Sequence, residues 1–237
     1  MTRKNRKQAK LVLFDIDGTI LVGIGKHPDA AREAFKDVLH VDYDPSENHG
    51  LTDLYDIHAA LDKKHLDHDP VLIDKVIKRM VEIFKTKDLT GTKLLPGVDD
   101  LLCALSKEKD VRIGLVTGNI EGIAFTKLKH LKIGHYFMKD GFSARGGFGD
   151  RSALRSDLIR IAISEFEKEE GIIPKNNVFI IGDTPHDIRG AREAGVKVIA
   201  VATGKSSREQ LAQEKPDHLF DDLSNTREII AIIKKDT

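Results

Sequence analysis

The chain opens with a tail of basic and polar residues, and then four apolar positions, Leu11 to Phe14, run without interruption into Asp15. An apolar run of this length, rich in strand-favouring side chains and closed by a polar turn, predicts a fully buried strand. The pattern then changes period. From Pro28 to about Lys87 the apolar residues recur at helical spacing: Ala30, Ala34 and Val38, then Leu54, Ile57 and Leu61, then Ile73, Ile77, Met80, Ile83 and Phe84. No strand is expected in this stretch, and Pro28, after a Gly23–His27 linker, suits a first helical turn. A Gly- and Pro-containing segment, 86–97, reads as a hinge. Beyond it helical and strand periods alternate. Helices are expected at Val98–Ser106, Glu121–Leu131, Ser152–Lys168, Ile188–Ala194, Ser206–Gln213 and Asn225–Lys235. Strands are expected at Val111–Val116, Val178–Ile181 and Val196–Val201, with a short one at Tyr136–Met138 and a loop at Gly141–Gly149. Gly195 reads as a helix C-cap.

Strand–helix alternation implies an α/β fold, a mostly parallel sheet with helices on both faces. Ligands of such sheets sit outside the carboxyl ends of the strands. The polar residues obey that placement: Asp15 and Asp17 follow the first strand, Thr117, Gly118 and Asn119 another, and Asp183 and Asp187 a third. If these ends converge, four carboxylates share one site. Two unit charges about 4 Å apart repel by roughly 4 kcal/mol at an effective dielectric near 20, so a bare cluster is untenable. A hard divalent cation, Mg²⁺, with oxygen ligands is the natural remedy. The hydroxyl of Thr117, the backbone N–H of Gly118 and the amide of Asn119 suit a bound anion. Arg151 and Arg155, ahead of the third motif strand, can supply a guanidinium fork for phosphate.

Composition narrows the class. The 237 residues carry no formal net charge, 40% are hydrophobic and 32% charged, as in an ordinary globular protein, and no global field favours nucleic acid or a membrane. The single cysteine, Cys103, excludes a disulfide framework and reads as a core residue. No apolar run reaches the ~18 residues of a membrane span. MTRKNRKQAK lacks the apolar centre of a secretory signal, so cytoplasmic residence is expected. His65 and His68 have no partner in view for zinc. Thr203–Ser206 does not make a phosphate loop, because Ile199 stands where that motif needs its first glycine.

In order, DIDGT (Asp15–Thr19), LVTGN with Thr117, and GDTPHD (Gly182–Asp187) resemble the motifs of phosphatases of the haloacid dehalogenase superfamily, over nearly the whole chain outside the helical insert. VIAVATG (Val198–Gly204) resembles that superfamily's next strand and loop. The third motif departs from the pattern. No lysine opens that helix, and in RSALRSDLIRIA the residue that resembles an alternative is Arg155. The resemblance implies a Rossmann-like core, residues 1–21 and 90–237, and a small helical cap domain, 22–89. Within the cap, His27, Arg32, Asn48, Thr52 and Asp53 are candidates for facing the site. It further implies Asp15 as nucleophile, Asp17 as general acid and base, and Thr117 and Arg155 as supports of the transferring group. The metal ligands it implies are Asp15, the backbone carbonyl of Asp17, Asp183 and Asp187. The expected activity is Mg²⁺-dependent hydrolysis of a small phosphorylated metabolite, similar to that of phosphoglycolate phosphatases. The alternatives are a phosphomutase and a non-catalytic binding protein.

Overall fold

The computed structural model describes residues 8–23, 26–46, 48–138 and 145–235. β1 (Lys10–Phe14) is buried at every position. It pairs in parallel with β4 (Val111–Val116) on one side and β6 (Val178–Gly182) on the other. β5 (Gly146–Gly147) extends the sheet beyond β4, while β7 (Lys197–Val201) and β8 (His218–Phe220) extend it beyond β6. The six-stranded order is β5-β4-β1-β6-β7-β8. The alternation of side chains along a strand sorts the core into two layers. Val12, Phe14, Phe179 and Ile181 face α4 (Val98–Ser106) and α9 (Thr226–Lys235), meeting Leu101, Leu105, Ile229 and Ile233. Leu11, Leu13 and Ile180 face α6 (Arg155–Glu170) and α7 (Pro185–Ala194), meeting Leu158, Ile159, Ala162, Ile188 and Ala191.

Between β1 and β4 lie α1 (Lys26–Ala34), which widens into a π turn at Phe35–Leu39, then α2 (Asp53–Lys63) and α3 (Pro70–Thr86). Thr52 caps α2, its hydroxyl accepting from the Tyr55 N–H at 3.2 Å, and Asp69 caps α3 ahead of Pro70. These helices bury their own cluster, with Phe35, Ile57, Leu61, Met80 and Phe84. It closes on Ile120 and Ile123 at the start of α5 (Glu121–His130). The helical insert therefore rests on the same strand end that carries Thr117 and Asn119.

Several boundaries differ from expectation for identifiable reasons. The sheet edge is not Tyr136–Met138, since Gly134–Tyr136 forms a 3₁₀ turn. The edge strand is Gly146–Gly147, inside the expected glycine loop, whose residues 141–144 lie outside the described ones. A Cβ at Gly146 would come within 2.3 Å of the Leu115 carbonyl oxygen, and one at Gly147 within 2.0 Å of that of Leu158. Close backbone approach selects glycine there and erases the apolar signal. The hinge contains β3 (Lys93–Leu94), antiparallel to β2 (Leu21–Val22). α6 starts at Arg155 rather than Ser152. α7 starts at Pro185 rather than Ile188, because Thr184 and Asp187 form a capping box one turn earlier. α8 (Arg208–Gln213) begins after its cap, Ser207, and α1 begins within the expected linker, of which residues 24–25 are not described. No helix among the described residues is long and apolar enough to cross a membrane.

Candidate active site

Asp15 continues β1, its N–H donating to the Ile181 carbonyl at 2.9 Å. Its carboxylate therefore emerges at the carboxyl edge of the sheet. Gly18 then turns the chain at φ +85°, where a Cβ would sit 2.4 Å from an oxygen of Asp183. That turn lets the Thr19 hydroxyl donate to Asp183 Oδ1 at 2.8 Å, while the Thr203 hydroxyl donates to the Gly18 carbonyl at 2.6 Å. Asp187, at the third position of α7, accepts from the Thr184 N–H (3.1 Å) and hydroxyl (2.7 Å) through Oδ2. Its Oδ1 is buried without a hydrogen bond. Arg155 Nη2 lies 3.0 Å from that oxygen and 3.3 Å from Asp15 Oδ1, close enough for ion pairing although not aligned for a hydrogen bond to Asp187.

One oxygen from each of Asp15, Asp183 and Asp187 lies within 4.8 Å of the others. Burial pushes the Asp15 carboxyl up to about 7; Arg155 opposes the shift and repulsion from Asp187 and Asp17 adds to it. Burial, then repulsion from Asp15 and Asp187, holds Asp183 well above the ordinary carboxylate range. Three ionised carboxylates against one guanidinium leave two negative charges, so the cluster must hold protons or a divalent cation. Its donors are all oxygen, and Asp187 Oδ1 accepts no hydrogen bond, being held only by the Arg155 ion pair. Both features suit a hard cation, and the residues fit one.

The Asp17 side chain is not part of this cluster. Asn119 Nδ2 donates to its Oδ2 at 2.8 Å, and Lys127 Nζ does so at 2.6 Å. Burial resists ionisation of Asp17, but the Lys127 ammonium, together with the hydrogen bonds that it and Asn119 donate, outweighs it and holds the carboxyl below the ordinary carboxylate range. Thr117 is fully buried, and its hydroxyl oxygen accepts from Asn119 Nδ2 at 2.6 Å. At Gly118 the chain passes so close to the insert that a Cβ would lie 2.2 Å from the Leu51 carbonyl oxygen. A cleft of about 920 Å³ opens over Asp15, Asp17, Gly118, Asn119, Arg155 and Asp183, and the helical insert walls its far side.

Of the expected site residues, Arg151 stays away from the cluster. It precedes α6, its side chain is 56% exposed, and it pairs with Glu121 (3.4 Å) and Asp150 (3.5 Å). The helix start at Arg155 aims one arginine inward and leaves the other on the preceding loop. Among the insert candidates, His27, Arg32, Asn48 and Asp53 line the cleft. Arg32 is committed to Asp29 and Asp44, and Asn48 donates to Tyr43 (2.8 Å) and Asp56 (2.6 Å). Thr52 serves as a helix cap. His68 pairs with Asp62 (2.8 Å) and stacks on His58. Two further residues had no place in the motif reading, Lys127 buried behind Asp17 and Asp56 on the insert wall of the cleft. Each carried a signal, a charge set beside buried apolar positions of its helix: Ile123, Ala124 and Leu128 around Lys127, Ile57, Ala60 and Leu61 beside Asp56.

Similarity to known proteins agrees with this geometry. A family model described as haloacid dehalogenase-like hydrolase matches residues 12–142, and one described as HAD-hydrolase-like matches 154–226. Phosphoglycolate phosphatase of Pseudomonas putida is 25% identical over 223 residues, covering 90% of this chain and 77% of that one. Its counterpart in Pseudomonas savastanoi is 27% identical over 232 residues, covering 92% and 78%. The crystal structure of a predicted phosphoglycolate phosphatase from Haemophilus somnus superposes with a TM-score of 0.63 at 22% identity, covering 94% of this chain and 98% of that one. The chain belongs to the haloacid dehalogenase-like hydrolase family and is a hydrolase of the phosphatase kind.

Proposed function

We propose that this enzyme is a Mg²⁺-dependent phosphatase that hydrolyses a small phosphorylated metabolite through a phosphoaspartate on Asp15. The observation that carries the reading is the buried Asp15–Asp183–Asp187 cluster at the sheet edge, paired with Arg155 and two residues from Asp17. Asp15, Asp183 and Asp187 would hold the cation together with the backbone carbonyl of Asp17. Mg²⁺ there supplies positive charge that offsets repulsion between the carboxylates and a phosphate dianion.

Asp15 attacks phosphorus, forming an O–P bond as the bond to the leaving oxygen breaks. Asp17 gives that oxygen its proton. The charge of an arriving phosphate opposes the pull of Lys127 and raises the Asp17 pKa toward the value an acid needs. Water then attacks the phosphoaspartate, Asp17 takes the water's proton, and Asp15 leaves as carboxylate. Arg155, Thr117, Gly118 and Asn119 position the phosphoryl group and its supports, in keeping with phosphoryl transfer as mainly positioning and charge stabilisation. Residues 22–89 act as a cap domain over a core of 1–21 and 90–237, excluding water and choosing the leaving group. The names of the relatives make phosphoglycolate the first substrate to try.

Release of inorganic phosphate from p-nitrophenyl phosphate and from a panel of phosphorylated metabolites tests the reading. Turnover that chelator abolishes and Mg²⁺ restores is expected. Turnover indifferent to chelator would refute the cation, and migration of phosphate between positions of a sugar without net release would make the enzyme a mutase.

A further inference from the structure

Lys127 is fully buried on α5. A desolvated ammonium needs an acceptor for each of its three N–H donors, and three surround it: Asp17 Oδ2 at 2.6 Å, Asn119 Oδ1, and His27 Nδ1 at 3.4 Å. The first two belong to the sheet edge, the third to the helical insert. With Nδ1 accepting, the His27 proton sits on Nε2, the tautomer assigned by its neighbours. Nε2 faces Asp53 at 2.9 Å (Oδ1) and 3.1 Å (Oδ2). Asp53 is itself fixed to the strand-end loop. Its Oδ2 accepts from the Ile120 N–H at 2.7 Å and its own N–H donates to the Gly118 carbonyl at 2.8 Å. Beside it, the Leu54 N–H donates to the Gly149 carbonyl at 2.9 Å.

We propose that His27 and Asp53 are positioning residues for Asp17, acting through Lys127, so that the acid–base carboxylate is clamped only while the helical insert is docked on the sheet edge. Lys127 and Asn119 both grip Oδ2 of Asp17. Oδ1 has no hydrogen-bond partner among the described residues, and Asp17 lines the cleft, 40% of its side chain exposed. The clamp thus fixes the rotamer and leaves one oxygen for the leaving group. Lifting the insert removes His27 and Asp53 together and hands the third Lys127 donor to water, so that two fixed acceptors instead of three orient the ammonium that holds Asp17. The inference rests on the reading of Asp17 as the group that protonates the leaving oxygen.

The test compares kcat/KM of the full chain in Mg²⁺ for two substrates. One is p-nitrophenyl phosphate, whose leaving group departs without a proton; the other is the best alkyl phosphate from a panel, whose alkoxide needs one. His27→Phe keeps a ring against Phe84, from which His27 now stands 5.9 Å centroid to centroid, but offers no acceptor. His27→Gln offers a carbonyl oxygen to Lys127 and an N–H to Asp53. His27→Phe is expected to lower the alkyl phosphate rate by about tenfold or more, within the reach of general acid catalysis, with the aryl phosphate changed by less than about threefold. His27→Gln should recover most of the loss. Equal losses on both substrates, no loss on either, or a glutamine variant no better than phenylalanine would overturn the proposal. If His27→Phe does not fold, Asp53→Asn, which keeps an oxygen for the Ile120 N–H, carries the same comparison with the same expected and contrary results. Wild-type protein that hydrolyses neither substrate overturns the phosphatase reading before any variant is made, and this proposal with it.

Discussion

The buried carboxylates make the stability of the metal-free enzyme fall as pH rises. Burial, joined by Asp187 and Asp17, moves the Asp15 pKa from 3.8 to about 7 against the pull of Arg155. A carboxyl raised in the folded state binds its proton more tightly there than in the unfolded chain. Its stabilisation is therefore complete below pH ~4 and is lost as pH climbs through about 7. At about 1.4 kcal/mol per pH unit, Asp15 alone is worth roughly 4 kcal/mol. For a chain of this size that is about 8–16 °C in Tm. Asp183, raised for the same reasons, adds to the effect in the same direction. His58 and His186, whose pKa values burial lowers, oppose it below about pH 6.5. His58, which stacks on His68 in the insert away from the cluster, opposes it equally with and without metal. Thermal unfolding at pH 5 and pH 8, in chelator and in Mg²⁺, isolates the cluster. The chelated protein should lose stability across the interval. Mg²⁺ should stabilise far more at pH 8, where it no longer displaces protons. Equal Mg²⁺ stabilisation at the two pH values, or none at pH 8, would refute the assignment of the cluster as a cation site.

Asp15→Asn should abolish phosphate release yet melt higher than wild type in chelator at pH 8, since it removes one buried charge; a variant active at near wild-type rate would remove Asp15 as nucleophile. In Gly204→Ala the new Cβ would meet Asp183 Oδ2 at 1.7 Å, so Mg²⁺ titrations should show affinity reduced by about tenfold, and unchanged affinity would take Asp183 out of the ligand set. Burial pushes Asp56 up to about 7 against its hydrogen bond from Asn48. Asp56→Asn should accordingly flatten the part of the pH 5–8 stability loss that Mg²⁺ does not correct, and an unaltered slope would contradict that placement.

The strand ends were legible because a buried parallel strand announces itself as an apolar run, and the acids that follow mark the functional edge. β1, β4 and β6 therefore stand where the pattern puts them, with Asp15, Thr117 and Asp183 on one edge. Two-residue pairings are too short to carry a period, and β5 is glycine because backbone contacts leave no room for a side chain. The choice between Arg151 and Arg155 depended on the first residue of α6, which local signals place only to within a few residues. Lys127 was hidden by distance, since its partners Asp17 and His27 are 110 and 100 residues away. Its position beside buried apolar residues of its helix was the local trace of a contact that only the fold completes.

The stereochemical course at phosphorus tests the central claim most directly. Hydrolysis of a phosphorothioate monoester whose two non-bridging oxygens are different isotopes, in water carrying the third oxygen isotope, should give chiral thiophosphate with overall retention. Attack by Asp15 and then by water on the phosphoaspartate inverts the centre twice. Inversion would mean a single direct attack by water and would contradict Asp15 as the nucleophile.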